Sequence, residues 1–402
     1  MRRRWLLGLL LLAALAAAGC ASRRCCTQTG CRHAVVLDCQ RVQPQAISPD
    51  VSAVSPRSSA EFDESLYCNL PERDAQCLAG TTAPLAKLLE QEADALACQS
   101  QGLHQSRSQC TQRILYLQAT HERNRNAAAV LQLFLRLTEA EAGAANVRER
   151  LAEVGRLLAD VQRLQAAGIE STLSQSSVEA QQLALIHKQV DLEATIEDLN
   201  HQLVNLLGVE PLDSRLWPAA DLKVDVAVPS VAEAQQLALR QRCDLAALRE
   251  AACCDVEVMR TLLGQANGGL GLSPSCQALA ALHLLARQCE GDIRSEQLTA
   301  AADEQARTLS NDVARAVATI EARLVQIGLS RRRLEALEAQ HARLEKKREI
   351  EAAAVFEARK ARLDVLAGEQ DLLHDVIEWK LAVVHLRELQ EELARECGFT
   401  CN

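Results

Sequence analysis

The residues of this chain that could carry chemistry are few and scattered. His374 and Glu378 stand four residues apart, about one helical turn, so an imidazole and a carboxylate could share a metal ion. The sequence offers no identifiable third ligand, and a pair on a solvated helix face is the alternative interpretation. We therefore predict no metal site, no cofactor and no catalytic residues, and we do not expect the chain to be an enzyme.

Glycines and basic clusters give no stronger signal. The glycines within 264–271 lack the spacing and the preceding strand of a phosphate-binding loop, so they indicate a turn. Basic clusters at 331–333 and 346–348 are interpreted as solvated helix surface. The second cluster is the better candidate for contact with a protein partner, because it lies where a helix reversal is expected.

Sixteen cysteines are many for a chain of this composition. None has the repeated C-x-x-C spacing of a structural zinc site, so the segment from Cys25 to Cys39 is interpreted as a tether whose cysteines could form disulfides within or between chains. Cys253 and Cys254 are adjacent on a predicted helix and are expected to be buried as small apolar residues. Five cysteines cluster near the N-terminus, at Cys20, Cys25, Cys26, Cys31 and Cys39.

The first nineteen residues predict export. Three arginines precede an apolar run from Trp5 to Ala18, which is the pattern of a signal peptide over 1–19 and is too short for a spanning helix. The run ends on Ala-Ala-Gly-Cys and resembles a bacterial lipobox, in which cleavage leaves Cys20 as a lipid-modified N-terminus. Cleavage near Ala18 by an ordinary signal peptidase is the alternative.

Composition favours an all-α fold of long helices. Aromatic residues make up only 2% of the chain, too few for a β-rich core, and the Ala, Leu, Glu, Gln and Arg content is typical of coiled coils. The chain is acidic overall, with a net charge of −9, and it shows no concentrated basic surface. Nucleic acid is therefore excluded as a partner.

Apolar periodicity predicts two antiparallel coiled-coil hairpins. Steps of four and three residues recur in three segments, which suits helices packed along one seam. Gly168 is the expected hinge of the first hairpin and Gly208 its C-terminal cap, while Gly398 is expected to cap the second. The seams are Val147, Leu151, Val154, Leu158 and Val161, then Leu192, Ile196, Leu199, Leu203 and Leu206, then Val313, Val317, Ile320, Leu324 and Ile327.

The hairpins divide the chain into segments. Helix is expected from Glu61, beginning a first helical-hairpin repeat at 61–208, and a second repeat occupies 231–398. An extended, proline-interrupted connector at 209–230 joins them, with one short strand possible in the alternating run at 222–226. The remaining segments are a cysteine-rich, lipid-anchored tether or linker at 20–60 and a C-terminal tail at 399–402.

These features together resemble the outer-membrane efflux protein family, the TolC family. In that family the second half opens with an Asn/Arg-Pro-Asp-Leu signature; here Arg242, Asp244 and Leu245 match it and Cys243 replaces the proline. The stretch from Arg163 to Gly168 and Ile169 resembles the hairpin tip at which the family docks a periplasmic adaptor. The order of these features, more than any single motif, carries the resemblance.

The resemblance implies a fold, partners and a location. It implies a homotrimer whose hairpins line a periplasmic tunnel, fed by an inner-membrane pump through the adaptor, in tripartite efflux or type I secretion. It also implies a place at the cell outer membrane, anchored in outer-membrane lipid through Cys20 on the periplasmic side. Arg163, Gly168 and Ile169 would dock the adaptor.

Two departures leave another interpretation open. The family carries membrane-crossing strands in each half, but the corresponding stretches here, 89–110 and 262–288, are too short for them. The second hairpin tip, around 345–350, also lacks a glycine. The alternative is a periplasmic coiled-coil lipoprotein that acts as an envelope scaffold or spacer and conducts nothing.

Overall fold

The computed structural model describes residues 41–42, 67–99, 105–166, 174–209, 215–225, 227–253, 291–348 and 354–401. The elements in chain order are β1 (Arg41–Val42), β2 (Tyr67–Pro71), α1 (Glu72–Thr82), α2 (Pro84–Gln99), α3 (Gln105–Ala166), α4 (Gln175–Leu207), β3 (Arg215–Ala219), α5 (Val231–Gln241), α6 (Cys243–Cys253), α7 (Gly291–Arg348), α8 (Ala354–Leu389) and α9 (Glu392–Glu396). The predicted signal peptide at 1–19, nearly all of the predicted tether at 20–60, and Gly168, Ile169 and Cys254 lie outside the described residues.

Two long helical hairpins dominate the molecule. Helix α3 has 62 residues and α7 has 58, so at 1.5 Å per residue each extends for about 90 Å. Each is followed by a shorter returning helix, α4 with 33 residues and α8 with 36. The prediction of an all-α fold with two antiparallel hairpins and little β-structure is confirmed, although the outgoing helices exceed the expected length of about 40 residues.

The four long helices form one layer. Helix α3 packs against both α4 and α8, and α8 packs against α7. The order across the layer is therefore α4, α3, α8 and α7, with α4 and α7 at its two edges.

The predicted seams are the packed faces of these helices. They are buried or partly buried, and those of α3 and α7 pack against the returning helix of the same hairpin. Repeats of four and three place these residues on one face, which is why the sequence revealed them. Fully buried seam residues include Val154, Val161, Leu203 and Val313.

The first returning helix ends as predicted. Ser174 caps the N-terminus of α4 by accepting a hydrogen bond from the Ser177 backbone N–H at 3.2 Å. Gly208 caps its C-terminus with left-handed backbone angles, φ 62° and ψ 28°. The predicted cap at Gly398 of the second hairpin is wrong: α8 ends at Leu389, and Glu391 takes the left-handed conformation at φ 59° and ψ 29°.

A pair of short helices precedes each hairpin. Helices α1 and α5 have 11 residues each, and each is followed after one residue by a second helix, α2 or α6. The intervening residues are Ala83 and Arg242, and α2 begins at Pro84, because proline is favoured at the first position of a helix. Within the described residues, the two halves therefore repeat the order of short helix, short helix, outgoing helix and returning helix.

A small sheet lies at the junction of the halves. Strand β2 pairs antiparallel with β1 and parallel with β3, with Tyr67 opposite Arg215 and Pro71 opposite Ala219. The expectation of helix from Glu61 is wrong for 67–71, because these residues pair with β3 and bury Cys68 and Leu70. The connector strand also differs from expectation, since it lies at 215–219 and not at 222–226.

The two stretches singled out as too short for membrane-crossing strands are only partly described. The first is helical up to Gln99 and again from Gln105, and the second lies outside the described residues. Among the helices of the described ranges, none has the length and apolar character needed to cross a membrane.

Candidate functional site

The predicted signature residues lie in a buried charge cluster, which we call the junction cluster. It consists of Arg242, Asp244, His121 and Glu391. Arg242 lies between α5 and α6, Asp244 in the first turn of α6, His121 on α3, and Glu391 between α8 and α9. Their side chains are 1% to 15% exposed. The cluster therefore joins the first half, the second half and the end of the chain.

Arg242 and Asp244 form its tightest pair. The Arg242 Nε and Nη2 donate to the two Asp244 carboxylate oxygens at 2.8 and 3.2 Å. The same guanidinium donates to the Leu389 carbonyl at the end of α8, at 3.4 Å. Because one side chain bonds a carboxylate of α6 and a carbonyl of α8, the second short-helix pair is fixed to the end of its own hairpin.

Asp244 is satisfied from several sides. Its carboxylate accepts from the Leu245 backbone N–H at 2.7 Å and from the Gln305 side chain of α7 at 2.8 Å. A carboxylate at a helix N-terminus is favoured by the helix dipole. Leu245 is fully buried and packs with Leu248 and Ala302. The three matched signature residues thus have different roles: two charges and one apolar anchor.

His121 connects the signature to Glu391. Its Nδ1 lies 3.1 Å from Glu391 Oε1, and its Nε2 lies 3.8 Å from Asp244 Oδ2. The imidazole is therefore placed between carboxylates from two other elements. Glu391 is 1% exposed and also lies 3.7 Å from the Arg242 Nε.

The charges of the junction cluster shift its pKa values. Burial opposes a charged His121, but the hydrogen bond and charge of Glu391, together with the charge of Asp244, outweigh it and raise the pKa of His121 above its usual value. Burial likewise opposes a charged Asp244, but His121 and Arg242 lower the pKa of its carboxyl. The arrangement favours a protonated imidazolium between two carboxylates.

A metal ion does not suit this cluster. His121, Asp244 and Glu391 offer ligand atoms within 4.8 Å of one another, a set that the prediction of no metal site did not anticipate. However, Arg242 already forms a bidentate pair with Asp244, and a protonated His121 completes the balance of two positive and two negative charges. Because a divalent cation would have to displace Arg242, the residues fit an ion-pair cluster and not a metal centre.

A second set of α3 side chains holds other helix ends near the cluster. Arg123 is buried, pairs with Glu90 of α2 at 2.6 Å and donates to the Gly80 carbonyl of α1. Asn124 donates to the Glu388 carbonyl at 2.9 Å and accepts from the Ala394 backbone N–H. The segment His121–Asn126 therefore connects α3 to the short helices of the first half and to the last helices of the second half.

The C-terminal residues are a strap across this junction. Disulfides join Cys397 to Cys77 of α1 and Cys401 to Cys243 of α6. Phe399 lies under the Arg123 guanidinium, with 4.3 Å between the guanidinium carbon and the ring centre. Cys243, which stands where the resembled signature has proline, thus forms a covalent bond to the strap.

Other predicted site residues lie elsewhere. Arg163 is near the end of α3, with its side chain 77% exposed and 3.0 Å from Asp160 on the same helix. Cys20, Gly168 and Ile169 lie outside the described residues. The structure thus brings the signature residues together at one end of the hairpins and places Arg163 at the opposite end.

The interpretation of His374 and Glu378 as a pair on a solvated helix face is wrong. His374 lies 2.6 Å from Glu139 of α3, whereas Glu378 bridges Arg136 of α3 and Arg323 of α7. The two residues therefore form neither a shared site nor a pair with each other, because each bonds a neighbouring helix.

Cys253 is exposed and has a free thiol, contrary to the expected burial. It is the last residue of α6, where the packed face of that helix ends. A position at the end of a helix cannot be judged for burial from the sequence alone.

The edge helices of the long layer expose apolar side chains. On α4, Leu183, Ile186 and Val190 are 66%, 43% and 60% exposed and follow a helical stripe. On α7, Val325 and Leu329 are 64% and 59% exposed, one turn apart. Apolar stripes on the two outermost helices are suited to contact with further helices.

The sequence indicated some of these residues but not others. Arg242, Asp244 and Leu245 were found through the signature, whereas His121, Arg123 and Glu391 were not. Their partners lie up to 270 residues away, and no periodic pattern accompanies them. The acidic and basic residues grouped between His121 and Asn126 are the only local signal.

Solved structures share this fold. The Campylobacter jejuni CmeC outer membrane channel matches with a TM-score of 0.54 at 10% identity, over 71% of this chain and 66%, just under two thirds, of that one. The outer-membrane channel OprN matches with a TM-score of 0.54 at 16% identity, over 71% and 70% of the two chains. CusC, described as forming a transmembrane channel, matches with a TM-score of 0.52 at 14% identity, over 80% of this chain and 96% of its own.

Comparison with protein-family models and with curated proteins finds no match. The structural matches at this level of identity establish the fold of the chain, and the expected similarity to outer-membrane channels is confirmed at that level.

Proposed function

We propose that this chain, which has the fold of outer-membrane channels, is one subunit of an outer-membrane efflux channel. Copies of it associate as a trimer, and the hairpins enclose a conduit through which small molecules or proteins leave the cell. The observation that carries the proposal is the order of the long layer, α4, α3, α8, α7, with exposed apolar residues on both edges.

The layer edges support side-by-side association. Neither α4 nor α7 has a further long helix against its outer face within the described part of the chain, and the apolar residues there are costly to leave in water. Contact between α4 of one copy and α7 of the next joins two different surfaces, and such head-to-tail contacts form a ring when the rotation closes. A ring of hairpins surrounds a central passage.

The partners follow from the resemblance noted in the sequence. An inner-membrane pump would deliver cargo through a periplasmic adaptor that docks at Arg163, Gly168 and Ile169. The exposure of Arg163 near the tip supports this place of docking. Lipid attachment at Cys20 would hold the chain at the outer membrane, on its periplasmic side.

Deletion and complementation test the function. We expect loss of the gene to raise the intracellular level of an exported toxic compound, and expression of the wild-type chain to restore export. Leu183→Glu combined with Ile186→Glu should fail to restore it, because two carboxylates would be desolvated in the contact between copies. Gln181→Glu, exposed on the same helix but about 200° around it from Leu183, is the matched control and should restore export.

The outcome separates a conduit from a scaffold. If deletion weakens the envelope but leaves the export of every compound tested unchanged, the chain acts as a spacer and the proposal is wrong.

Adaptor docking has its own test. Gly168→Val should reduce co-purification of the adaptor severalfold, because a β-branched residue resists the backbone conformations of a tight helix reversal. Arg163→Glu should reduce it as well. Arg156→Glu, exposed two turns earlier on α3, should not. Undiminished capture by Gly168→Val and Arg163→Glu would exclude this tip as the docking site.

A further inference from the structure

The junction cluster contains a titratable group that holds together three distant parts of the chain. His121 of the first half contacts Asp244 of the second half and Glu391 at the end of the second hairpin. The sequence separation between His121 and Glu391 is 270 residues. Whatever changes the charge of this imidazole changes the contact between the halves.

We propose that His121 is a pH-operated latch between the two halves. While its imidazole carries a proton, it holds the carboxylates of Asp244 and Glu391 and keeps the end of α8 docked on the start of α6. When the proton is lost as the pH rises, this contact loosens.

The charge count of the cluster explains the direction. With His121 protonated, two positive groups, His121 and Arg242, balance two negative groups, Asp244 and Glu391. With His121 neutral, the cluster has a net charge of −1, and only Arg242 separates two carboxylates that are 13% and 1% exposed. Buried like charges with insufficient compensation are unfavourable, so the neutral form favours separation.

The geometry makes Glu391 the part that moves. Its backbone has φ 59°, a left-handed conformation that is strained for a non-glycine residue. The ion pairs with His121 and Arg242 help to retain that conformation. Disulfides at Cys397 and Cys401 keep the strap attached, so the latch alters the position of residues 390–394 and does not detach the C-terminus.

Other charged groups around the cluster do not replace His121. Asn124 donates to the Glu388 carbonyl and Gln305 donates to Asp244, but neither amide side chain titrates. Glu388 belongs to α8, and its negative charge helps to raise the pKa of Arg242. His385 titrates nearby, but its hydrogen bond is to Glu388 on its own helix.

Linkage gives the pH range. Because the pKa of His121 is raised in the folded protein, its contribution is fully present below the ordinary histidine value of 6.5 and is lost as the pH rises through the raised pKa. Each unit of that shift corresponds to about a tenfold change in the equilibrium between latched and loosened forms. The latch is therefore closed below pH 6.5 and opens as the pH rises through the raised pKa of His121.

Hydrogen exchange of the full-length protein in detergent tests this directly. We expect the protection of residues 386–396, corrected for the intrinsic effect of pH, to fall as the pH is raised from 6 to 9. His121→Gln cannot carry a proton and should show low protection at both pH values. His187→Gln, in which an exposed histidine paired with Asp191 is changed, should retain the wild-type response.

A second variant guards against a folding defect in the first. Glu391→Gln removes one carboxylate, so the cluster is no longer negative when His121 is neutral, and its pH response should largely disappear. His385→Gln should keep the response. A wild-type protection that is independent of pH, or an undiminished pH response in either His121→Gln or Glu391→Gln, would overturn the proposal.

Discussion

Gly208 and Glu391 occupy equivalent positions in the two halves and share one backbone conformation. Each follows a returning helix, and their angles are φ 62°, ψ 28° and φ 59°, ψ 29°. Gly208 lies against Thr82 at the end of α1, whereas Glu391 lies near Arg242 just after α5. The same turn is thus made by a glycine beside a small side chain in one half and by a charged residue within an ion-pair cluster in the other.

The first prediction concerns the turn of the first half. Gly208→Ala should lower the free energy of unfolding by about 1 kcal/mol, because an L-residue in the left-handed region is strained. Steric conflict adds little, since the new Cβ would lie 3.5 Å from the Thr82 Cβ. Thermal unfolding measures the effect.

A helical glycine provides the control. Gly155→Ala on α3, where no atom of the described residues outside the helix's own backbone lies within 4 Å of an added Cβ, should instead stabilise the protein by about 0.5–1 kcal/mol. Equal responses of the two variants would contradict the role assigned to the turn.

The second prediction concerns the disulfide strap. Replacing Cys77 and Cys397 by alanine should lower stability by roughly 2–5 kcal/mol, because the bond closes a loop between residues 320 apart in sequence. Denaturant titration under non-reducing conditions measures this loss. Cys253→Ala changes a free, exposed cysteine and should leave the midpoint unchanged. A wild-type midpoint in the variant without Cys77 and Cys397 would show that the strap contributes no stability.

The third prediction concerns a buried carboxyl group on α3. Burial raises the pKa of Glu141 from 4.5 to about 7, against the opposing charges of Arg215 and Arg148. Its Oε1 is buried and has no hydrogen-bond partner among the described residues. The folded protein therefore holds a proton there that the unfolded chain releases above pH 4.5.

The sign of the pH dependence follows. Glu141 lowers the stability of the folded state as the pH rises from about 4.5 to about 7, by roughly 3 kcal/mol in total. Glu141→Gln should remove this decline and exceed the wild type in stability at pH 8 but not at pH 4. Urea titrations across that range measure it, with the exposed Glu321→Gln as control. A Glu141→Gln curve parallel to that of the wild type would contradict the assignment.

The sequence predicted the parts of the fold that depend on local pattern. The seams at 147–161 and 313–327 repeat every three and four residues, and Gly208 follows the last apolar residue of its helix, so helices and cap were predictable. The strand at 67–71 was not, because its stability depends on pairing with residues 148 positions away, Tyr67 with Arg215. Tertiary pairing overrode the local pattern there.

The candidate site was predictable only through its motif. Arg242 and Asp244 stand together in sequence, but His121 and Glu391 join them solely through folding. The left-handed conformation of Glu391 also has no signal, since glutamate rarely adopts it and Gly398 was the natural choice of cap. A charged residue accepted this backbone because its neighbours in space supply compensating charges.

Single-channel conductance of the purified full-length protein in planar lipid bilayers tests most directly whether this chain forms a channel. We expect discrete conductance steps from the wild type and from Gln181→Glu, and none from Leu183→Glu combined with Ile186→Glu. A wild-type protein that assembles into oligomers in the bilayer and yet gives no conductance steps would contradict the assignment of a channel.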